Sequence, residues 1–477
     1  MIGQKSFEIG PEEFLRGITT SDFMNDGGFS PVSQAANIFH TPGLLYGSTP
    51  TVDQTDDLVD ELIASCIDPQ IIGSPFRRFF VDNAGQYYSW NTSVLDLIAT
   101  DGTNPSKYNP PKIDMIAFGL DTIFTTTATT ITKLVPSTTT LTDVYFTFAG
   151  AVAPSVPHPA IVFENNAYYG NGNTLLRQTD PTATPAVILT LPAEQTIVTL
   201  GIDPGTGKML LSIIDGLDAS GNNDRPAQVG YYDGFSNKLS KIVDVDAMVT
   251  VFHTTSDNLY VCYGQNFGYW SGSGVQFLRK LTVPLSEAGL VYKHRITNIG
   301  NIVYLVEKNA ILAYGKLAGG RERVFYYVHT ELESGADLTL GLTLLANLGS
   351  NVLGFCFINE SSVEKFSTMD LSSVASLTES PRWRSKKYTF DRDVTFNGVL
   401  IEYGVALPND DSTVGSLYVF DETQTSTLIG AVSTTESGKY TVELTYPSIE
   451  TRSLQLSYTF SLQYPIRRFT VFYTPKE

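Results

Sequence analysis

One unit recurs seven times between residues 79 and 366: a short apolar strand, a tight polar turn, a second strand rich in Tyr or β-branched residues, another turn and a third strand. First strands centre near Phe79, Met115, Ile161, Val198, Val249, Ile296 and Leu342, a spacing of roughly 44 residues. Each is followed by turn formers: Asp82-Asn83-Ala84-Gly85, Gly119-Leu120-Asp121, Asn165-Asn166, Asp203-Pro204-Gly205-Thr206-Gly207, Ser256-Asp257-Asn258, Asn298-Ile299-Gly300-Asn301 and Asn347-Leu348-Gly349. Gly, Asn and Asp reach positive φ at low cost, which tight hairpins demand. Second strands then begin, as in Gln86 to Trp90, Ala167 to Tyr169, Met209 to Leu211, Leu259 to Tyr263, Ile302 to Val306 and Val352 to Phe355. Third strands follow, as in Gly268-Tyr269-Trp270 and Asn309 to Tyr314. The second unit, with its Thr-rich stretch Thr125 to Thr132, fits worst, so the count is six or seven. Units of this size with several short strands predict an all-β chain built as a six- or seven-bladed β-propeller. A large β-sandwich, or two, would also show turn signals every 8 to 12 residues or so.

Three regions follow from where the period starts and stops. Residues 1–70 read as an extended N-terminal arm with short helices. Pro11 to Arg16 fits one helical turn with Pro in first position. Phe23 to Gly47 is rich in Gly, Pro, Ser and Asn and reads as extended chain. Thr55, Asp56 and Asp57, followed by Leu58, Val59, Leu62, Ile63 and Cys66, predicts a short amphipathic helix with acids in its first turn. An arm of this kind, carrying Phe14, Phe23, Phe29 and Phe39, packs along its own propeller or onto a neighbouring subunit. Residues 71–383 are the propeller, with long connections such as Leu217 to Pro226 and Leu332 to Asp337 on its faces. Residues 384–477 predict a β-sandwich, with strands at Lys387 to Phe390, Gly398 to Gly404, Ser416 to Phe420, Lys439 to Thr445, Leu454 to Phe460 and Arg468 to Tyr473. The last of these is expected to be paired into its sheet.

Composition narrows the function classes. The 477 residues are 42% hydrophobic and 12% aromatic, enough for a large core. Only 17% are charged, below the usual quarter, so Ser, Thr, Asn, Gly and Gln must cover much of the surface. A net charge of −18 argues against binding the outside of a nucleic acid, which needs clustered cations. The basic groups Arg77-Arg78, Arg321 to Arg323, Arg382 to Lys387 and Arg467-Arg468 are scattered and read as salt-bridge partners. Cys66, Cys262 and Cys356 are few, far apart and best read as small buried hydrophobes. No apolar run has the length of a membrane span, and the first residues lack the apolar core of a secretory signal. Synthesis in a cytosol is therefore expected.

Motifs that would carry chemistry are weak. His40, His158, His253, His294 and His329 show no ligand spacing. No nucleophile elbow or phosphate loop is present, and Gly201 to Gly205 and Gly170 to Gly172 read as hairpin glycines. Asp215 to Asp224 is the most oxygen-rich loop, yet it departs from the calcium-loop pattern and lacks its closing Glu. The hairpins and arginine trio of sialidases are missing, as are WD-repeat and kelch signatures. No catalytic, cofactor-binding or metal-binding residue is assigned, no cofactor is expected, and a non-enzymatic role follows. Tyr231, Tyr232, Tyr269 and Trp270 are the aromatic candidates for glycan contact, against the plainer reading that blade aromatics are core.

An aromatic-bearing arm, a degenerate propeller without cellular signatures, a Thr-, Ser- and Asn-rich surface and a C-terminal sandwich together resemble structural proteins of tailed bacteriophages. Within that group the chain is similar to propeller-bearing tail proteins such as the nozzle proteins of short-tailed phages. The likeness is one of architecture and transfers no residue role. It implies a virion component, made in the host cytoplasm, that forms a ring at the tail or head–tail region. Its partners would be copies of itself and neighbouring virion proteins, with DNA passing transiently along a channel whose acidic wall repels phosphate. The alternatives are a receptor- or glycan-binding propeller module and a propeller glycoside hydrolase.

Overall fold

The computed structural model describes residues 4–10, 51–58, 61–67, 77–91, 94–102, 108, 113–149, 158–215, 227–256, 258–281, 293–307, 310–316, 323–329, 339–359, 364–371, 382–407, 413–423, 425–433, 438–461 and 464–476. Seven four-stranded antiparallel sheets form a seven-bladed propeller, and a further seven-stranded sheet gathers the C-terminal strands. By packing, two compact units result: residues 53–309 with 339–368, and residues 1–52, 310–338 and 369–477.

Blade 1 runs Leu62–Ile67, Arg78–Asp82, Gln86–Asn91 and Val94–Thr100, and blade 2 runs Met115–Ala117, Ile123–Thr126, Thr130–Val135 and Thr140–Thr147. Blades 3 to 6 follow the same order, their first strands being Ala160–Phe163, Gln195–Asp203, Val249–Thr254 and Ile296–Ile299. Blade 7 takes Thr339–Gly349, Val352–Asn359 and Glu364–Asp370 from one part of the sequence and its fourth strand, Thr51–Leu58, from another. First strands pack on their neighbours from blade 6 through blades 7 and 1 to blade 5, and blade 5 meets the Lys293–Arg295 turn that leads into blade 6.

Burial explains the sequence pattern. A middle strand lies between two neighbouring blades, so both of its faces are covered and it reads as a continuous apolar run. Leu259–Tyr263 is buried at every position. Each apolar cluster joins two adjacent blades: Tyr87, Met115 and Leu134 belong to one between blades 1 and 2, and Val229, Tyr231, Val261 and Trp270 to one between blades 4 and 5. The ring closes through Phe80, Trp90, Leu344 and Phe366, where Phe366 sits 5.5 Å from both aromatic rings. Fourth strands are mostly exposed, as in Val94–Thr100 and Ala186–Thr190. Their mixed composition hid them from the sequence reading, which found three strands per unit.

Two expectations are corrected. The amphipathic helix expected over Thr55 to Cys66 is two strands, Thr51–Leu58 and Leu62–Ile67. Ile63 is β-branched, Ala64 and Cys66 are small, and these three with Leu62 are all buried between blades, so packing on both faces outweighs a weak helical period. The arm boundary at residue 70 therefore falls after the first strand of blade 1. The unit near Thr125 to Thr132 is a complete blade, giving seven. Its threonines turn inward: Thr125, Thr126, Thr127, Thr130 and Thr132 are buried, and Thr126 donates to the His158 carbonyl at 2.6 Å. The helical turn at Pro11 to Arg16, the extended chain at Phe23 to Gly47 and the long connections Leu217 to Pro226 and Leu332 to Asp337 lie outside the described residues.

In the C-terminal sheet the hydrogen-bonded order is Lys5–Ile9, Ile466–Pro475, Tyr388–Tyr403, Thr441–Phe460, Thr413–Phe420 and Ser426–Ser433, with Arg382–Arg384 pairing on Thr441–Phe460. Strands expected as separate pieces are fused: Thr441–Phe460 is continuous over 20 residues. Its first part pairs with Tyr388–Tyr403 and its last six residues with Thr413–Phe420, so one hydrogen-bond pattern joins all seven strands. The register slips between Phe396 and Gly398, opposite the stretch containing Pro447, which has no N–H to give. Residues from distant parts of the sheet meet in one core. Trp383 stacks on Phe469 with centroids 4.8 Å apart, and Tyr403 and Tyr458 share a 2.9 Å hydroxyl contact.

Gly201, in the first strand of blade 4, lets that strand approach blade 5, because a Cβ there would collide with the Cβ and ring of Phe252. Gly201→Ala is expected to cost about 1–3 kcal/mol, read as a lower urea midpoint with an unchanged m-value; an unshifted midpoint would contradict close packing of these blades.

Candidate axial polar site

A short 3-10 turn, Lys293–Arg295, precedes the first strand of blade 6 and packs against the first strands of blades 1, 5 and 7. It therefore lies inside the ring, where a propeller has its channel. Lys293 Nζ reaches Asp114 at the leading end of blade 2, donating to Oδ2 at 2.6 Å and Oδ1 at 2.9 Å, and to the Ala160 carbonyl of blade 3 at 3.1 Å. Asp114 also accepts from the Met115 N–H and the Ala160 N–H, both at 2.9 Å. This carboxylate is buried, so three donors, through four hydrogen bonds, replace the water it has lost.

The network continues around the axis. The Ser65 N–H of blade 1 donates to His294 Nδ1 at 3.4 Å, leaving Nε2 facing Asp114 at 3.6 Å. Arg78, also of blade 1, donates to Ser65 Oγ and, at 2.5 Å, to the Asn347 carbonyl of blade 7. Asn347 Nδ2 donates to the Asn298 carbonyl of blade 6 at 2.8 Å, and Asn298 Oδ1 lies 3.1 Å from His253 Nε2 of blade 5. Thr254 Oγ1 of blade 5 donates to the Ile202 carbonyl of blade 4 at 2.9 Å. Polar contacts thus link all seven blades near the axis. Arg295 Nε adds a 3.3 Å bond to the Thr343 carbonyl.

Burial sets the charge states. Loss of water pulls Arg78 down to about 10, with the nearby Cys66 opposing, so it stays cationic at neutral pH. It pulls His294 down to about 4; Asp114 opposes this, whereas Lys293 and Arg78 reinforce it. Burial likewise lowers His253 to about 4, with Asn298 opposing and Arg78 and Lys293 reinforcing. His158, stacked on Phe148 at 4.1 Å with Asn171 on Nε2, is lowered to about 4 by the same cause. All three imidazoles are neutral at pH 7. The arrangement can hold blades in register, and its cations and neutral imidazoles surround a single carboxylate.

The residues singled out from sequence fare differently. Trp270 is buried and donates from Nε1 to Tyr231 Oη at 2.7 Å, Tyr231 passes the bond to the Gly272 carbonyl, and Tyr232 is buried. These aromatics are core. Tyr269 keeps part of its ring accessible and bonds Gln276. Asp215 ends a blade 4 strand, and residues 216–226 of the oxygen-rich loop lie outside the described residues, as does His40. His329 ends the fourth strand of blade 6. Cys66, Cys262 and Cys356 are buried and outside any disulfide, and burial pushes Cys262 up to about 12. Gly172 and Gly207 take positive φ in hairpins, where Asp203 accepts from Gly205 and Thr206. Arg467 and Arg468 pair with Glu402, and Arg384 lies 3.9 Å over the Phe420 ring. Among the described residues no three His, Cys, Asp or Glu side chains converge as a metal site. No described helix is long and apolar enough to cross a membrane.

Asp114, Lys293, Arg295, Asn298 and Asn347 were missed. Their only sequence sign is the basic run Lys293-His294-Arg295 directly ahead of an apolar strand; the partners are brought together solely by ring closure.

No protein-family model matches the chain, and no curated protein matches it. Among solved structures it is similar to the extracellular domain of a hybrid two-component system from B. thetaiotaomicron, at 10% identity and a TM-score of 0.50, covering 88% of this chain and 57% of that one. YCF48 bound to D1 peptide aligns at 9% identity and a TM-score of 0.45, covering 70% and 97%. The likeness to the extracellular domain is one of propeller fold alone.

Asp114→Ala removes the carboxylate partner of Lys293 and of two backbone N–H groups, so a loss of about 2–4 kcal/mol is expected by urea unfolding; a loss below about 1 kcal/mol would remove the carboxylate from the centre of this account. The histidines give a pH signature. Each binds its proton more tightly when unfolded (ordinary value 6.5) than when folded (about 4). Their stabilising contribution is complete above pH 6.5 and is lost as pH falls toward 4, at up to about 1.4 kcal/mol per pH unit for each. Urea midpoints between pH 7.5 and 4.5 should fall in that window, with a shallower slope in His253→Gln; equal slopes would contradict the assignment.

Proposed function

We propose that this protein is a non-enzymatic structural component of a tailed-phage virion, assembling with copies of itself and neighbouring virion proteins into a ring at the tail or head–tail region. The observation that carries the assembly role is a belt of apolar side chains on the outermost strands. Val94 and Leu97 of blade 1, Val144 of blade 2, Val187 of blade 3, Ile242 of blade 4 and Phe277 of blade 5 are each between 48% and 59% exposed. Single exposed hydrophobes are ordinary. One or two on each of five successive outer strands make a recurrent feature of the rim, and apolar rims favour protein contact.

The outer edges themselves are protected. Outer strands of blades 1, 2, 3 and 5 carry register slips against their neighbours, and bulges of this kind discourage edge-to-edge strand addition. Contact through side chains is thus favoured over strand pairing at the rim. Because Lys293-His294-Arg295 occupies the propeller axis, any DNA passage would run between subunits of the ring, where the net charge of −18 limits adhesion. Glycan binding through Tyr231, Tyr232 and Trp270 is disfavoured by their commitment to the core.

Replacing Leu97, Ile242 and Phe277 together by Glu is expected to reduce the oligomer to smaller species on light scattering, while the unfolding midpoint moves by no more than about 1 kcal/mol. An unchanged mass would count against the rim. Mass spectrometry of purified particles tests the virion assignment directly, and absence of the chain from them would end it.

A further inference from the structure

The N-terminal strand Lys5–Ile9 is an edge strand on the C-terminal sheet, pairing antiparallel with Ile466–Pro475 from Lys5 opposite Tyr473 to Ile9 opposite Phe469. Its seat is specific. Phe7 sits among three rings, with centroids 4.5 Å from Tyr388, 6.2 Å from Phe390 and 6.0 Å from Tyr473. Ile9 is 1% exposed, and Arg468 spans Glu8 at 2.9 Å and Glu402 at 2.6 Å. Without this strand the seat presents an unpaired strand edge flanked by aromatic rings, the kind of surface that captures another chain.

The next described segment, Thr51–Leu58, belongs to blade 7, so 40 residues, 11–50, separate the two strands in sequence. Forty residues span at most about 140 Å. A five-residue strand separated from the next described one by 40 residues makes identical contacts in its own seat or in that of another copy. The choice then depends on effective concentration, as in strand exchange between protomers.

We propose that Lys5–Ile9 is exchanged between copies: in the assembled protein the strand of one protomer fills the Tyr388–Phe390–Tyr473 seat of its neighbour. The inference rests on the self-association proposed above and names its linking element. Each subunit both donates and receives, so an open seat at the end of an arc recruits the next copy, and a closed ring leaves none. The contact is heterologous, as ring closure requires.

Two differently tagged chains are co-expressed, one carrying Glu8→Cys and the other Thr470→Cys, positions that face each other in the ladder. The native thiols at Cys66, Cys262 and Cys356 are buried and serve as the background in each single variant. Exchange is expected to give a disulfide-linked heterodimer on a non-reducing gel at least tenfold above either variant alone. An intact oligomer without that species would overturn the exchange and leave self-association standing; a chain that is monomeric at all concentrations would overturn both. Should the variants fold poorly, a synthetic peptide of residues 1–10 added in excess to assembling wild-type protein decides the matter. A shift to smaller species supports exchange, and an undiminished oligomer refutes it.

Discussion

A buried carboxylate at the centre of the ring is the constraint around which the propeller unit is organised. Asp114 cannot be left in a dry interior without partners. Its partners come from three places in the sequence: its own blade, the adjacent Ala160 and the distant Lys293. Only a closed circle brings them within hydrogen-bonding distance. The remaining polar contacts, through His294, Ser65, Arg78, Asn347, Asn298 and His253, extend the same requirement from blade to blade. Apolar burial between blades supplies the larger share of stabilisation, but it is non-directional. The axial hydrogen bonds fix the register of blades around the axis.

Closure has a second component. Blade 7 is assembled from both sides of the sequence, with Thr51–Leu58 as its outermost strand. Phe80, Trp90 and Phe366 fill the seam between blades 7 and 1. Joining distant segments in this way makes the ring cooperative, since opening it exposes aromatic surface and an unpaired edge together. The N-terminal strand Lys5–Ile9 repeats the principle on the C-terminal sheet, where Phe7 and Ile9 cover an edge that the last strand leaves open. Two N-terminal segments, Lys5–Ile9 and Thr51–Leu58, thus each complete a sheet.

Much of the fold could be read before any coordinates. Turns at Gly207, Gly300 and Gly349 and the runs at Leu259–Tyr263 and Ile302–Glu307 mark blades because buried middle strands must be apolar on both faces. The reading weakened where burial was one-sided. Fourth strands such as Lys241–Val245 lie at the rim and carry mixed composition, so no period announces them. Leu62 to Cys66 was misjudged because a short apolar run fits a helix or a strand until its neighbours are known. Thr125 to Thr132 fitted poorly because its hydroxyls are satisfied inside the protein, a circumstance composition cannot convey. Tyr231 and Trp270 were legible as core or contact residues, and packing chose the core.

The sequence by itself determined the all-β class, the repeated unit and an acidic, sparsely charged surface, since these depend on local turn chemistry, strand propensity and composition. Tertiary structure alone decided the number of blades, the origin of blade 7's outer strand, the position of Lys293-His294-Arg295 within the ring and the seat of Lys5–Ile9. Each of these joins residues far apart in the chain. Such pairings are governed by which surfaces remain to be covered once the local elements have formed, and no spacing in the sequence encodes that remainder.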